Sequence, residues 1–216
     1  NALLNIFASL VNPGDNVLLP EPYFPLYGPD VNLWGGTPRF YECLFDNEFV
    51  PTIEHLESLV DENTVAILYN FPSNPTGATI TVEQRDELLA FAQRHNLWII
   101  TDEVYDRIVF DSEHVSFVGC DDERVILINS FSKTYAMTGW RIGYIMSANK
   151  EAMNQMIKLQ YYITACSNDA MQYAVLTAIN DADDYPDEMC AEFKARRDLI
   201  CSRLNKMPGV QCHVPE

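Results

Sequence analysis

Short apolar runs alternate along this chain with longer amphipathic segments, and this alternation restricts the fold more than any other feature of the sequence. The apolar runs have the length of buried strands, whereas segments such as 81–95 carry apolar residues at helical spacing. Strands are predicted at 16–19, 64–70, 97–101, 124–129 and 141–146. Helices are predicted at 1–11, 81–95, 152–161, 171–179 and 185–207. This pattern is typical of a mostly parallel sheet covered on both faces, so the sequence predicts an α/β fold built as a three-layer sandwich.

Both ends of the chain resemble the interior of a longer protein. A helical stripe of apolar residues begins at Leu3, which leaves no room for a cap or a lead-in before the helix. At the other end, residues 209–214 resemble a strand that stops at Pro215 and Glu216. We therefore expect the sequence to be a fragment that is truncated on both sides.

The chain is acidic. Its 216 residues include 14 Lys and Arg against 31 Asp and Glu, which gives a formal net charge of −17. Nucleic acid and anionic membrane surfaces attract clustered basic residues, so neither is an expected partner. The longest apolar runs, such as 66–69 and 97–100, are too short to span a bilayer, and the first residues lack a signal-peptide pattern.

The cysteines are scattered rather than clustered. They are Cys43, Cys120, Cys166, Cys190, Cys201 and Cys212. No two of them form a CxxC pair, and none has the spacing of zinc ligands, so no metal site is predicted. In a chain of this size the pattern favours reduced thiols and a cytoplasmic protein.

Polar and aromatic residues follow the predicted strands, at the ends where a parallel sheet binds its ligands. They are Phe24 after the first strand, Asn74 after the second, Asp102 and Tyr105 after the third, and Ser130, Lys133 and Arg141 after the fourth. Together these groups suit a phosphorylated aromatic aldehyde. A lysine amine can form a Schiff base with the aldehyde, a carboxylate can keep a pyridine nitrogen protonated, and a hydroxyl and a guanidinium can bind the phosphate.

Each of these residues also has an ordinary structural interpretation. Lys133 alone would be a solvated surface residue, Phe24 a core residue, and Arg141 one half of a surface ion pair. Asn74 lies in an Asn-Pro-Thr-Gly sequence that favours a turn, and Asp102 could cap a helix. The functional interpretation is favoured because the residues recur at successive strand ends of one chain.

Three segments resemble those of the class I and II aminotransferases, which are fold-type I enzymes dependent on pyridoxal 5′-phosphate (PLP). The most specific segment is Ser-Phe-Ser-Lys-Thr-Tyr-Ala-Met-Thr-Gly-Trp-Arg-Ile-Gly-Tyr at 130–144. Asn-Pro-Thr-Gly at 74–77 and Asp-Glu-Val-Tyr at 102–105 precede it in the family's order and at similar intervals. The resemblance covers essentially the whole chain, and it implies the large domain of an enzyme similar to aspartate aminotransferase.

The resemblance implies catalytic roles for residues of the second, third and fourth strand ends. Lys133 would form the Schiff base with PLP and carry the proton between the substrate Cα and C4′ of the cofactor. Asp102 would pair with the pyridine nitrogen. Tyr105 and Asn74 would hydrogen-bond the phenolic oxygen of PLP, and Asn74 would also contact the substrate carboxylate.

The same resemblance assigns the remaining residues to binding of the cofactor. Ser130 and Arg141 would hold the phosphate. Phe24 would stack on the ring of PLP, and its neighbour Tyr23 is the weaker candidate for this position.

The sequence also departs from the family. The turn that gives backbone N–H groups to the phosphate would precede Asn1, and the small-domain arginine for the substrate α-carboxylate would follow Glu216. Some aspartate aminotransferases bind the distal carboxylate of the substrate with an arginine in the corresponding segment of the neighbouring subunit. Residues 160–168 of this chain contain no arginine, so this mode of substrate binding is not expected. We therefore expect these 216 residues alone to be poorly active.

The resemblance implies a PLP-binding large domain at 1–192 and the beginning of a small α+β domain at 193–216. The implied reaction is amino-group transfer from an amino acid to a 2-oxo acid in a homodimeric enzyme. One open alternative is a PLP-dependent carbon–sulfur β-lyase on the same fold. Another is the PLP-sensing domain of a transcriptional regulator, although nothing basic in the chain supports it.

Overall fold

One sheet of six strands forms the centre of the computed structural model, which describes residues 1–216. The strands are β1 (Asn16–Glu21), β2 (Thr37–Glu42), β3 (Thr64–Asn70), β4 (Trp98–Asp102), β5 (Val125–Ser130) and β6 (Gly143–Met146). They lie in the order β2-β1-β3-β4-β5-β6, and only β6 runs antiparallel to its neighbour. The predicted α/β fold with a mostly parallel sheet is confirmed.

Eight α-helices connect and cover the strands. They are α1 (Ala2–Leu10), α2 (Tyr27–Leu33), α3 (Ile53–Leu59), α4 (Val82–Arg94), α5 (Phe131–Thr134), α6 (Lys150–Thr164), α7 (Asp169–Asp181) and α8 (Tyr185–Leu204). Local sequence determines several helix starts, as at α4, where Thr81 and Gln84 form a reciprocal capping box. None of the helices combines the length and the apolar character that crossing a lipid bilayer requires.

Alternate residues of the central strands pack into two separate cores, one on each face of the sheet. Along β3, Ile67 and Tyr69 belong to a core that α3 and α4 cover, whereas Ala66 and Leu68 belong to a core that α1, α2 and α6 cover. Side chains of a strand alternate between its two faces, so a strand buried on both sides reads as a continuous apolar run. The two cores and the sheet between them make up the predicted three layers.

The carboxyl ends of the central strands lie level with one another. Asn70 closes β3 and is the register partner of Asp102, which closes β4. Ser130 closes the next strand, β5. Because parallel strands end at the same edge of the sheet, the loops after β3, β4 and β5 come together there.

Two expectations about the C-terminal part are wrong. Residues 209–214 form no strand; they lie instead along α8, where Asn205 and Cys212 exchange two hydrogen bonds. Helix α8 ends at Leu204 rather than at 207. Pro208 has no N–H group with which to extend the helix, so the chain turns away shortly after this point.

Candidate active site

Asp102, at the end of β4, is almost fully buried. The hydroxyl of Tyr27 donates a 2.7 Å hydrogen bond to Oδ2 of Asp102, and the amide of Val104 donates a 3.4 Å bond to Oδ1. Burial raises the pKa of Asp102 to about 6, although both hydrogen bonds oppose the rise. Such a carboxyl group favours a cationic ligand. Tyr27 is a residue that the sequence analysis missed.

Asn70 connects the end of β4 to the turn that carries Asn74. Its Nδ2 donates a 2.9 Å hydrogen bond to the carbonyl oxygen of Asp102, and its Oδ1 accepts a 2.8 Å bond from the amide of Asn74. Asn70 is buried, so these bonds are shielded from water. The sequence analysis missed Asn70 too; a polar residue that closes an apolar strand was the available signal.

Lys133 lies in α5, the short helix that follows β5 directly. Its Nζ is 5.3 Å from the centre of the Tyr105 ring. The two residues line the same cleft, which has a volume of about 470 Å³ and receives Met189 and Phe193 from α8. Most of the other lining side chains are apolar. The amine of Lys133 therefore stands in an apolar cleft at the edge of the sheet, beside a phenol.

Asp106 connects the loop after β4 to the segment that carries Lys133. Its Oδ2 accepts a 2.8 Å hydrogen bond from Nδ2 of Asn129, and its Oδ1 accepts a 3.5 Å bond from the hydroxyl of Thr134. Oδ1 of Asn129 in turn accepts a 2.7 Å bond from the amide of Ser130. These bonds fix the start of α5 against the loop that bears Tyr105.

Glu103, the first residue after β4, is a buried anchor for the loop that bears Tyr105. Its Oε1 accepts hydrogen bonds from the Thr101 hydroxyl at 2.8 Å and from the Phe117 amide at 3.1 Å, and its Oε2 lies 2.8 Å from Nε2 of His114. Burial alone raises the pKa of Glu103, but the hydrogen bonds outweigh burial and leave the pKa below its ordinary value. The loop is thus tied back to the sheet.

Arg141 and Ser130 lie on adjacent segments beyond Lys133. Arg141 has a left-handed backbone (φ 57°), and its Nη1 donates a 2.7 Å bond to the carbonyl of Thr138. Its side chain is exposed and pairs with no carboxylate. Ser130 pairs in the sheet with Gly143, where an added Cβ would lie 2.7 Å from the carbonyl oxygen of Asn129. Only glycine allows this close approach of β6 to β5.

Phe24 packs beside the buried pair formed by Tyr27 and Asp102. Its ring meets the Tyr27 ring edge to face, at 5.6 Å between centroids. Tyr23 instead stacks on Phe40 at 4.9 Å. Phe24 therefore contacts Tyr27 of the buried pair, whereas Tyr23 packs on Phe40.

A family model described as aminotransferase class I and II matches residues 1–216. The chain belongs to this family. An aspartate aminotransferase from Thermotoga maritima is 39% identical over the whole chain and over 56% of that relative. The aromatic-amino-acid aminotransferase 2 of Thermococcus litoralis is 38% identical over 93% of the chain and 52% of the relative.

Solved structures of aminotransferases superpose closely on the chain. An aromatic aminotransferase from Pyrococcus horikoshii OT3 gives a TM-score of 0.95 at 36% identity, over the whole chain and 58% of that structure. An alanine aminotransferase from Pyrococcus furiosus gives 0.93 at 34% identity, over the whole chain and 56% of that structure. The resemblance stated from the sequence is confirmed, and the chain spans little more than half the length of these relatives.

In this member of the aminotransferase family, short chains of contact join most of the predicted site residues. Tyr27 links Phe24 to Asp102, and Asn70 links Asp102 to Asn74. Tyr105 and Lys133 meet in the cleft. The side chains of Ser130 and Arg141 form no hydrogen bond with any of these residues.

Proposed function

We propose that the chain is the cofactor-binding part of a PLP-dependent aminotransferase, which transfers the amino group of an amino acid to a 2-oxo acid. The observation that carries this proposal is the pairing of buried Asp102 with Tyr27 at the sheet edge where Lys133 and Tyr105 line one cleft. Membership of the class I and II family supports it, as do relatives named for amino-acid substrates.

The chemistry of the side chains at this edge fits PLP. Asp102 is a buried carboxyl group without a cationic partner in the chain, which suits a protonated pyridine nitrogen. Arg141 is a guanidinium without a carboxylate partner, which suits a phosphate dianion. The amine of Lys133 is bound by no acceptor in the chain and can bond covalently to an aldehyde carbon.

When bound, PLP supplies an electron sink that stabilises negative charge at the substrate Cα. Asp102 holds the proton on the pyridine nitrogen, and Tyr27 keeps the carboxylate in place. Lys133 would hold the cofactor through Nζ, and as a neutral amine it would move the proton of the substrate Cα. Tyr105 and Asn74 orient the phenolic oxygen, and Asn74 also contacts the substrate carboxylate.

Three further residues bind and position the cofactor in this proposal. Arg141 holds the phosphate by charge-assisted hydrogen bonds, and Ser130 adds a hydroxyl donor. Phe24 covers one face of the ring and restricts its motion, as an aromatic side chain can by offset stacking. Correct orientation of this kind supplies a large part of the barrier reduction in such sites.

For the complete protein we propose a cytoplasmic homodimer. We assign residues 1–192 to the PLP-binding large domain and residues 193–216 to the beginning of the small domain. The proposed boundary falls inside α8, which also lines the Lys133 cleft with Met189 and Phe193. In this assignment α8 belongs to both domains, and its residue Phe193, the first of the proposed small domain, lines the cleft.

A product analysis tests the proposed reaction. The complete reading frame that contains this chain is expressed, loaded with PLP, and incubated with single amino acids in the presence or absence of 2-oxoglutarate. The expected products are the matching 2-oxo acid and pyridoxamine phosphate or glutamate. Release of pyruvate, ammonia and thiol from cysteine-like substrates would identify the β-lyase instead, and cofactor binding without turnover would favour the regulator.

Matched lysine variants connect this reaction to the site. Lys133→Ala removes the proposed amine, whereas Lys150→Ala removes an exposed lysine at the start of α6. The first variant is expected to lose turnover and the second to keep it. Equal activity of the two variants would contradict the assignment.

A further inference from the structure

Two thiols lie side by side where the C-terminal segment folds back along α8. The Sγ atoms of Cys201 and Cys212 are 3.8 Å apart, and neither cysteine is in a disulfide. Both thiols also approach the carbonyl oxygen of His213, at 3.9 and 3.2 Å. Cys201 is buried in α8, whereas Cys212 is partly exposed. One thiol of the pair is therefore accessible to a reagent from solution, and the other stands directly behind it.

The backbone around Cys212 is held in register with α8. The amide of Cys212 donates a 2.8 Å hydrogen bond to Oδ1 of Asn205, and the carbonyl of Cys212 accepts a 3.1 Å bond from Nδ2 of Asn205. Asn205 is the C-cap residue of α8 and follows Leu204 directly. This pair of bonds keeps the two sulfur atoms close without a covalent link.

The residue after the pair is also anchored. The ring of His213 lies edge to face against Phe49 and Phe45, with centroids 5.4 and 6.4 Å apart. These two phenylalanines belong to the turn after β2. The segment that carries Cys212 is thus held between α8 and this turn.

The same segment reaches the turn of the candidate active site. The carbonyl of Pro215 accepts a 2.6 Å hydrogen bond from Arg197 of α8. The Pro215 ring packs so closely on Gly77 that a Cβ at that glycine would lie 2.6 Å from it. Pro215 and Asn74 line the same hollow of about 260 Å³. A disulfide between the two thiols would therefore attach this segment to α8, and the segment also contacts the turn that carries Asn74.

We propose that Cys201 and Cys212 are a redox modification site that forms a reversible disulfide by exchange with a low-molecular-weight disulfide of the glutathione class. The bond would close a short loop between the end of α8 and the segment that carries Pro215. A disulfide needs an S–S distance of about 2.05 Å, so one sulfur has to move by roughly 2 Å, which the partly exposed Cys212 can do. This proposal does not depend on the enzyme's reaction.

The exchange takes place in two balanced steps. The thiolate of Cys212 attacks one sulfur of the glutathione disulfide, whose S–S bond breaks and releases one glutathione thiolate. The thiolate of Cys201 then attacks Sγ of Cys212, and the second glutathione leaves as a thiolate. The protons of the two protein thiols end on the two released glutathiones, so two protein sulfurs are oxidised and one external disulfide is reduced.

Burial raises the pKa of the Cys201 thiol, and its contact with Cys212 adds to the rise. The second step uses the Cys201 thiolate, so it should accelerate as the pH is raised. The first step uses the more accessible thiol. A mixed disulfide at Cys212 should therefore accumulate briefly at lower pH and convert to the protein disulfide at higher pH.

Peptide mapping tests the proposal on the complete protein. The protein is incubated with glutathione disulfide, trapped with an alkylating reagent, and digested with trypsin, which cuts after Arg197, Arg203 and Lys206. The expected result is a loss of two hydrogen atoms and a linked pair made of peptide 198–203 and the peptide that begins at Met207. Dithiothreitol should reverse both changes.

Two variants provide the controls. Cys201→Ser should stop the reaction at a stable glutathione adduct on Cys212. Cys190→Ser, which removes another partly buried cysteine of α8, should still give the linked pair. In the unaltered protein, a persistent adduct on Cys212, a different cysteine pair or no modification at all would each overturn the proposal, whatever the variants do.

Discussion

The phenol oxygen of Tyr27 lies 2.7 Å from Oδ2 of Asp102, and both side chains are buried between the sheet and its helical cover. The other carboxylate oxygen, Oδ1, has only a long contact of 3.4 Å with the Val104 amide. One oxygen is thus held by the protein, while the other can accept a hydrogen bond from a ligand. This asymmetry is the structural basis for the role proposed for Asp102.

Tyr27→Phe removes the hydroxyl and keeps the ring. The hydrogen bond from Tyr27 lowers the pKa of Asp102, so its loss should raise that pKa further. The acid limb of the pH profile for Cα proton removal should move to higher pH. The rate at neutral pH should fall about 10- to 100-fold, since a hydrogen bond to a charged group is worth about 1.5–3 kcal/mol. Stopped-flow half-reactions across the pH range measure both effects.

Tyr41→Phe is the matched control for this variant. Tyr41 is equally buried, but its hydroxyl donates a 2.7 Å bond to the carbonyl of Leu68 rather than to a carboxylate. The control should lose stability without moving the acid limb. If both variants shift the profile alike, Tyr27 has only a general packing role.

Asp102→Asn should stabilise the protein without PLP at pH 7. Burial raises the pKa of Asp102 from 3.8 to about 6, so between these values the folded chain binds a proton that the unfolded chain has released. The contribution of Asp102 to the free energy of unfolding therefore falls as the pH rises across that interval. The Asp102→Asn substitution removes this loss of stability, which amounts to as much as about 3 kcal/mol at pH 7. Urea unfolding at pH 7 and near pH 4 measures the gain, which should shrink at the lower pH.

The same variant should bind PLP but remove the Cα proton much more slowly, because a neutral amide does not maintain the pyridinium charge. A gain in stability together with a loss of rate separates a functional carboxylate from a structural one. A variant that is less stable at pH 7 would show that ionised Asp102 stabilises the fold.

Glu103→Gln should destabilise the protein at neutral pH. The folded pKa of Glu103 lies below its ordinary value, so the stabilisation is present above the unfolded value near 4.5 and is lost as the pH falls through the folded pKa. The expected loss at pH 7 is about 1–3 kcal/mol, since a buried hydrogen-bond network is broken. Glu113→Gln, an exposed residue of the same loop, should change little in the same urea titration. Equal losses would contradict the anchoring role of Glu103.

Arg141→Ala should mainly weaken the retention of PLP. The guanidinium offers charge-assisted hydrogen bonds to a phosphate, and loss of such bonds should weaken binding about 10- to 100-fold. With saturating PLP, the rate of Cα proton removal should change much less. Absorbance titration with PLP measures the affinity, and Arg196→Ala, which removes an exposed charge paired with Glu192, serves as the control. Unchanged affinity in Arg141→Ala would remove this residue from the phosphate site.

The buried strands were predictable because their residues are apolar on both faces. The range predicted for β3 agrees with the structure at both ends, since its sequence is a continuous apolar run. β2 lies at the edge of the sheet, and Tyr41 is its only buried residue. Its sequence therefore has no continuous apolar run, and the strand was not predicted. α2 was missed because Gly28 and Pro29 lower its helix propensity.

The residues that support the site were harder to predict. Tyr27 and Asp102 are 75 positions apart, and their hydrogen bond exists only because β1 and β4 end at the same edge. The Asn70 bond to Asp102 depends likewise on the register of β3 and β4. A motif reveals residues that contact the ligand, whereas partners contributed by distant strands become visible only in the fold.

A labelling experiment shows which lysine carries PLP. The complete protein is loaded with PLP, reduced with borohydride and digested with trypsin. A modified lysine resists cleavage, so we expect one labelled peptide that runs from Val125 to Arg141 with Lys133 uncut inside it. Label on a peptide containing Lys150 or Lys158, with Lys133 cleaved as usual, would show that Lys133 does not carry PLP.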